Sequence, residues 1–209
     1  DLTTSNKVVN GVYTISSAGD YKFTCSQETA NRIVVDGANI LAEDNIKIYL
    51  DNVNINTPFP ALQIQRSVQA QVYIYLEGIN KLNSRWDAAA LQKDNAAKLT
   101  IDNSDNSSKN IGKLIATASS GAGIGGGQRG SGSNITISGG SVTATSSMGA
   151  GIGGGFENTG SNITISGGSV TATSTYGAGI GSGEDGGTSS NITINGGSVN
   201  ATSYSGAGI

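Results

Sequence analysis

Gly149-Ala-Gly-Ile152, Asn162-Ile-Thr-Ile165 and Ser169-Val-Thr-Ala-Thr-Ser174 decide how this chain folds. In each segment the apolar residues fall at every second position: Ala150 and Ile152, Ile163 and Ile165, Val170 and Ala172. Period two marks a strand with one buried face. The segments also return. Gly-Ala-Gly-Ile starts at Gly121, Gly149, Gly177 and Gly206, at spacings of 28, 28 and 29 residues. Asn-Ile-Thr-Ile starts at Asn134, Asn162 and Asn191, and Ser-Val-Thr-Ala-Thr-Ser at Ser141 and Ser169, with one change at Ser198. Turn chemistry such as Ser166-Gly-Gly168 separates the segments, and helix signals are absent. Three strands per period, stacked at ~4.8 Å, predict an all-β, right-handed parallel β-helix. No coil buries its apolar face alone, so the stack shares one interior.

The pattern extends toward the N-terminus. Ile46-Lys-Ile-Tyr-Leu-Asp51, Val72-Tyr-Ile-Tyr-Leu-Glu77 and Lys98-Leu-Thr-Ile-Asp102 align with one another at spacings of 25 to 26. Ala61-Leu62 and Ala90-Leu91 stand where Ala122-Gly-Ile124 stands later, and Asp102 to Gly112 reads as a polar insertion. Residues 1–35 read as capping strands, 36–120 as charged and aromatic coils, and 121–209 as glycine-rich coils of the same rod. Composition marks the second division. Four charges follow residue 120 (Arg129, Glu157, Glu184 and Asp185), and 27 of the 32 glycines lie there.

Charge and cysteine usage exclude several functions. The chain has 209 residues, 15 acidic and 12 basic side chains, a net charge of −3, no histidine and one cysteine, Cys25. It lacks the basic footprint of a nucleic-acid binder. It also lacks the residues for a His/Cys metal site or a His-based triad. No apolar run of ~18 residues is long enough to span a membrane. A lone cysteine builds no disulfide framework, and Cys25 reads as a small buried hydrophobe. The opening Asp1-Leu2-Thr3 fits a processed secreted protein or an excised fragment. Ile209 falls inside a Gly-Ala-Gly-Ile strand, so either the natural chain continues or rods stack end to end. The Asn-x-Ser/Thr triplets at Asn106, Asn134, Asn162, Asn191 and Asn200 read mostly as by-products of the repeat.

Alternation also assigns the solvent face. Lys47, Tyr49 and Asp51 point out, followed one coil on by Tyr73, Tyr75 and Glu77 and then by Lys98, Thr100 and Asp102. This places Tyr49 beside Tyr75. Exposed rings next to carboxylates suit sugar binding, since a ring stacks on a pyranose and carboxylates accept its hydroxyl protons. Tyr49, Tyr73, Tyr75, Asp51, Glu77 and Trp86 are therefore candidate carbohydrate-binding residues, although stacked tyrosines also simply stabilise strands. Asp51, Glu77 and Asp102 form a ladder of like charges that calcium would relieve, or else a solvated row. No nucleophile or basic partner recurs near them, so the chain reads as a non-enzyme. Gly121, Gly123, Gly149, Gly151, Gly177 and Gly179 read as an outward strip. Either coils pack closely there, or a partner (a polysaccharide or another rod) approaches the backbone. Thr117, Thr145, Thr173 and Thr202 form a hydroxyl row, as do Thr143 and Thr171 until Asn200 interrupts; such rows also suit ice. Asn134, Asn162 and Asn191 superpose, and an amide hydrogen-bond ladder is the expected role.

Gly11-Val-Tyr-Thr-Ile-Ser-Ser-Ala-Gly-Asp20 followed by Ile48-Tyr-Leu-Asp-Asn-Val-Asn-Ile55 resembles bacterial surface proteins with a carbohydrate-binding β-helix domain. These include a clostridial group that binds cellulose and acidic plant polysaccharides. The Gly-Ala-Gly-Ile-Gly-Gly-Gly repeats are similar to arrays in extracellular proteins of gut bacteria. The resemblance implies a secreted or cell-surface, bacterial, non-catalytic protein that binds polysaccharide, with calcium as the one cofactor it suggests. The alternative is a structural subunit of an extracellular fibre or matrix, assembled through rod ends or the glycine strip. A pectin-acting lyase on the same fold is a third, weaker reading.

Overall fold

The computed structural model describes residues 1–104 and 111–209. Asn106 and most of the polar insertion lie outside the described residues. The chain winds as a parallel β-helix, and the described residues form three sheets of eight, seven and six strands. One sheet, here face B, runs through Gly19–Thr24, Asn45–Asp51, Gln71–Glu77, Leu99–Asn103, Gly132–Ile137, Gly160–Ile165 and Ser190–Ile194. Face C runs through Asn54–Thr57, Ile79–Ser84, Lys113–Thr117, Ser141–Ser146, Ser169–Ser174 and Ser198–Ser203. Face A is built of shorter pieces, including Arg32–Val35, Leu62–Ile64, Leu91–Lys93, Ile124–Gly125, Ile152–Gly153 and Ile180–Gly181.

Identical letters in successive periods become neighbours in a column. Ile135 pairs with Ile163 and Ile163 with Ile192. Val142, Val170 and Val199 form a second column, and Leu62, Leu91 and Ile124 a third. Ile135, Ile163, Leu62, Leu91 and Ile124 are fully buried. Burying such a side chain contributes roughly 1.5–3 kcal/mol, and the columns run the length of the rod as one core.

The lid is shorter than residues 1–35. Val8–Val9 pairs antiparallel with Val12–Ile15, but Val12–Ile15 and Gly19–Thr24 already lie parallel to the next coil. Only the first residues close the end, with Leu2 buried as a plug.

The expected asparagine ladder is present. Asn134, Asn162 and Asn191 adopt left-handed backbone with φ of 55, 51 and 54°. Asparagine tolerates this region better than most residues. The Nδ2 of Asn162 donates to Oδ1 of Asn134 at 3.1 Å, and that of Asn191 to Oδ1 of Asn162 at 2.9 Å. Asn134 itself donates to the Ala96 carbonyl at 2.9 Å. The threonine rows also align: Thr117, Thr145, Thr173 and Thr202 occupy one column of face C.

Two expectations about placement are corrected. The glycine strip is not a surface: Gly121, Gly123, Gly149, Gly151, Gly177 and Gly179 are all buried. A methyl group on Gly151 would sit 2.6 Å from the Gly179 oxygen and 2.7 Å from the Thr173 nitrogen, and one on Gly149 2.5 Å from the Gly121 carbonyl. These glycines lie in the bend before the two-residue strands of face A, where strand alternation does not hold. They let neighbouring coils touch backbone to backbone, which removes the strip as a docking face. The second correction concerns Leu99–Asn103. Thr100 pairs with Tyr73 and Asp102 with Tyr75, so the strand sits two residues along from the expected alignment. A slip of two preserves which side chains point outward and changes only their neighbours.

Candidate functional site

Face B carries the tyrosines. Tyr49 pairs with Tyr75, Lys47 with Tyr73 and Asp51 with Glu77. The Tyr49 and Tyr75 rings stack with centroids 5.0 Å apart and planes 23° apart, and Tyr73 lies 6.2 Å from Tyr75 at 6°. All three are half-buried. Burial, reinforced by the Tyr49 phenol, pushes the Tyr75 hydroxyl up from its ordinary value. Stacking takes one face of Tyr49 and one of Tyr75, so these rings serve first as each other's platform.

The carboxylate ladder is two residues long, not three. Lys22 Nζ lies 2.6 Å from Glu77 and 3.1 Å from Asp51. The hydrogen bond to Glu77, then that to Asp51, pushes the Lys22 ammonium up. Asp102 is displaced to the Tyr75 column, where its Oδ1 accepts from the Asn103 amide at 2.7 Å. Lys22 thus sits between Asp51 and Glu77, while Asp102 stands opposite Tyr75, so the three carboxylates do not form one row. Among the described residues no group of three His, Cys, Asp or Glu side chains comes together as a metal site.

Trp86 lies elsewhere. It occupies the turn between Ile79–Ser84 on face C and Leu91–Lys93 on face A, with φ of +58°, and its side chain is 68% exposed. Beneath it on the preceding coil is Phe59, 57% exposed. Thr57 pairs with Ser84, which places Phe59 and Trp86 each two residues past paired strand ends. Both rings line a groove of about 390 Å3 together with Arg32, Gln63, Asp87 and Gln92. The Arg32 guanidinium sits 5.4 Å over the Phe59 ring and donates to Gln63 Oε1 at 3.1 Å, while burial pushes its pKa down. The groove thus offers two rings, amides, a cation and a carboxylate at one corner.

Sequence reading found Trp86 and missed Phe59. The available signal was Pro58-Phe59-Pro60. Proline fixes φ on each side of the ring, which favours an outward turn over a strand. Lys93 was also missed. It is fully buried, and its Nζ donates to the carbonyls of Asn95 at 2.8 Å and Ser133 at 2.7 Å. Burial pulls its pKa down to about 8. Cys25 is half-buried, and burial pushes its thiol up.

A family model described as "Beta helix repeat" matches residues 135–156, 163–184 and 192–209. These segments include the paired strands of faces B and C in the last three coils. No curated protein and no solved structure matches the chain. Among the described residues no helix is long and apolar enough to cross a membrane. The three matched segments and the parallel winding of the strands around them agree on a β-helix repeat fold.

Proposed function

We propose that this protein is a non-enzymatic, extracellular polysaccharide-binding module. The observation that carries the reading is the pair Trp86 and Phe59, two rings more than half exposed, in one groove with Arg32, Gln63, Asp87 and Gln92. Leaving such rings in water forfeits roughly 1.5–3 kcal/mol each that burial would contribute to folding, so their placement is best explained by a ligand. A pyranose has an apolar face for the ring and hydroxyls for amides and carboxylates. The tyrosine face is the secondary surface: its rings are half-buried and its carboxylates already hold Lys22.

A glycan array tests this. The wild-type chain retains a defined set of glycans. Trp86→Ala combined with Phe59→Ala loses that retention at least about tenfold, a loss of about 1.4 kcal/mol, with an unchanged thermal melt. The Tyr49→Ala/Tyr75→Ala pair has the smaller effect. Full retention by the Trp86/Phe59 pair of variants excludes the groove.

A further inference from the structure

The chain contains seven tyrosines, three phenylalanines and one tryptophan. Four of these rings are exposed: Phe59 at 57%, Trp86 at 68%, Tyr176 at 48% and Tyr204 at 88%. All four lie on the same edge of the rod, the bend from face C to face A. Phe59 follows the strand end Thr57 by two residues, Trp86 follows Ser84 by two, Tyr176 follows Ser174 by two and Tyr204 follows Ser203 by one. Cross-coil bonds fix the column. The Ser120 amide donates to the Trp86 carbonyl at 3.1 Å, and the Tyr176 amide to that of Ser147 at 2.9 Å.

Between Trp86 and Tyr176 the same edge is floored by Ser119, Ser120, Ser147 and Met148, which carry no charge and no exposed ring. Beside it runs the hydroxyl column Thr117, Thr145, Thr173 and Thr202. Trp86 and Tyr176 follow strands three steps apart on face C, so at ~4.8 Å per step roughly 14 Å of edge lies between them. Rings on either side of a low floor, flanked by a row of hydroxyls on one side and by the loops of Phe156 and Glu184 on the other, whose amides donate to the Ser120 and Met148 carbonyls, make a track rather than a pocket.

We infer that this edge is one extended site that binds a linear glycan lengthwise, parallel to the rod axis, with the Phe59–Trp86 groove as one anchor and Tyr176 as a second. The inference rests on the carbohydrate-binding reading above and adds its geometry. A short oligosaccharide engages one anchor only. A chain that spans both turns the second contact into an intramolecular one, so affinity climbs with chain length without any new type of contact.

The test uses an array of linear glycans, neutral and acidic, graded from disaccharide to polymer, with wild type, Tyr176→Ala and Tyr176→Phe. The expected wild-type result is an affinity that rises at least about tenfold from disaccharide to polymer. Tyr176→Ala removes that rise and leaves disaccharide binding intact, and Tyr176→Phe, which keeps the ring, restores it. Tyr176 is half exposed, so the thermal melt of all three is expected to coincide. If Tyr176→Ala holds the polymer as tightly as wild type while the Trp86/Phe59 variant fails, the lengthwise site is overturned and the binding groove stands. If wild type shows no dependence on chain length, the lengthwise site is likewise overturned. If wild type retains no glycan at all, both readings fall.

Discussion

Lys93 shows what a single side chain does inside a solenoid. Its ammonium bridges two coils through the Asn95 and Ser133 carbonyls, yet burial pulls its pKa from 10.5 to about 8. Below pH 8 both folded and unfolded chains carry the proton, and the cost of burying the charge is constant. Between about 8 and 10.5 the unfolded chain binds more protons than the folded one, so stability rises with pH across that window. The contribution is at most about 3 kcal/mol. The Cys25 thiol and the Tyr75 hydroxyl, both pushed up in the folded chain, oppose it near the upper end, so the comparison that isolates it is Lys93→Met. Urea titrations at pH 7.5 and 9.5 are expected to show a rise in wild type that the variant lacks. Alternation alone puts Lys93 inward, two residues after buried Leu91 and opposite buried Ile64. What the sequence did not show is the carbonyl of Ser133, 40 residues on in the next coil, that receives its ammonium.

At the scale of elements, what could be read depended on length. Six-residue strands such as Ser141–Ser146 and Ser169–Ser174 contain three full alternations, and both their faces and their partners were predictable. Two-residue strands such as Ile152–Gly153 contain none, and extending alternation into the bend before them turned the glycines the wrong way out. Leu99–Asn103 falls between these cases: its alternation fixed the face, but the column was fixed by the turns around it. The buried bend makes its own prediction. Gly151→Ala places a methyl group against the Gly179 oxygen and the Thr173 nitrogen, and two backbones cannot both yield. The variant is expected to lose about 1–3 kcal/mol of stability in a denaturant titration.

For the whole molecule, each coil touches chiefly the coils before and after it, so stability is a sum of neighbour terms. Ile163 lies in the middle of its column, between Ile135 and Ile192. Ile163→Ala is expected to cost about 2–5 kcal/mol. Hydrogen exchange should place the lost protection in the strands Gly132–Ile137, Gly160–Ile165 and Ser190–Ile194, with Asn45–Asp51 and Gln71–Glu77 unaffected. Uniform loss along the chain would indicate a single cooperative unit instead. The candidate site was half legible at this scale. Trp86 was identifiable as an exposed ring in a turn, but the edge shared by Phe59, Trp86, Tyr176 and Tyr204 depends on which turn follows which sheet, and single-strand patterns do not carry that.

The asparagine ladder gives the rod an electrical direction. Every side-chain amide in it passes its proton toward the earlier coil: Asn191 to Asn162, Asn162 to Asn134, and Asn134 to the Ala96 carbonyl. Amides joined head to tail polarise one another, so their small dipoles add along the axis, positive toward Asp1 and negative toward Asn191. Repeats that are chemically almost interchangeable thereby acquire a head and a tail.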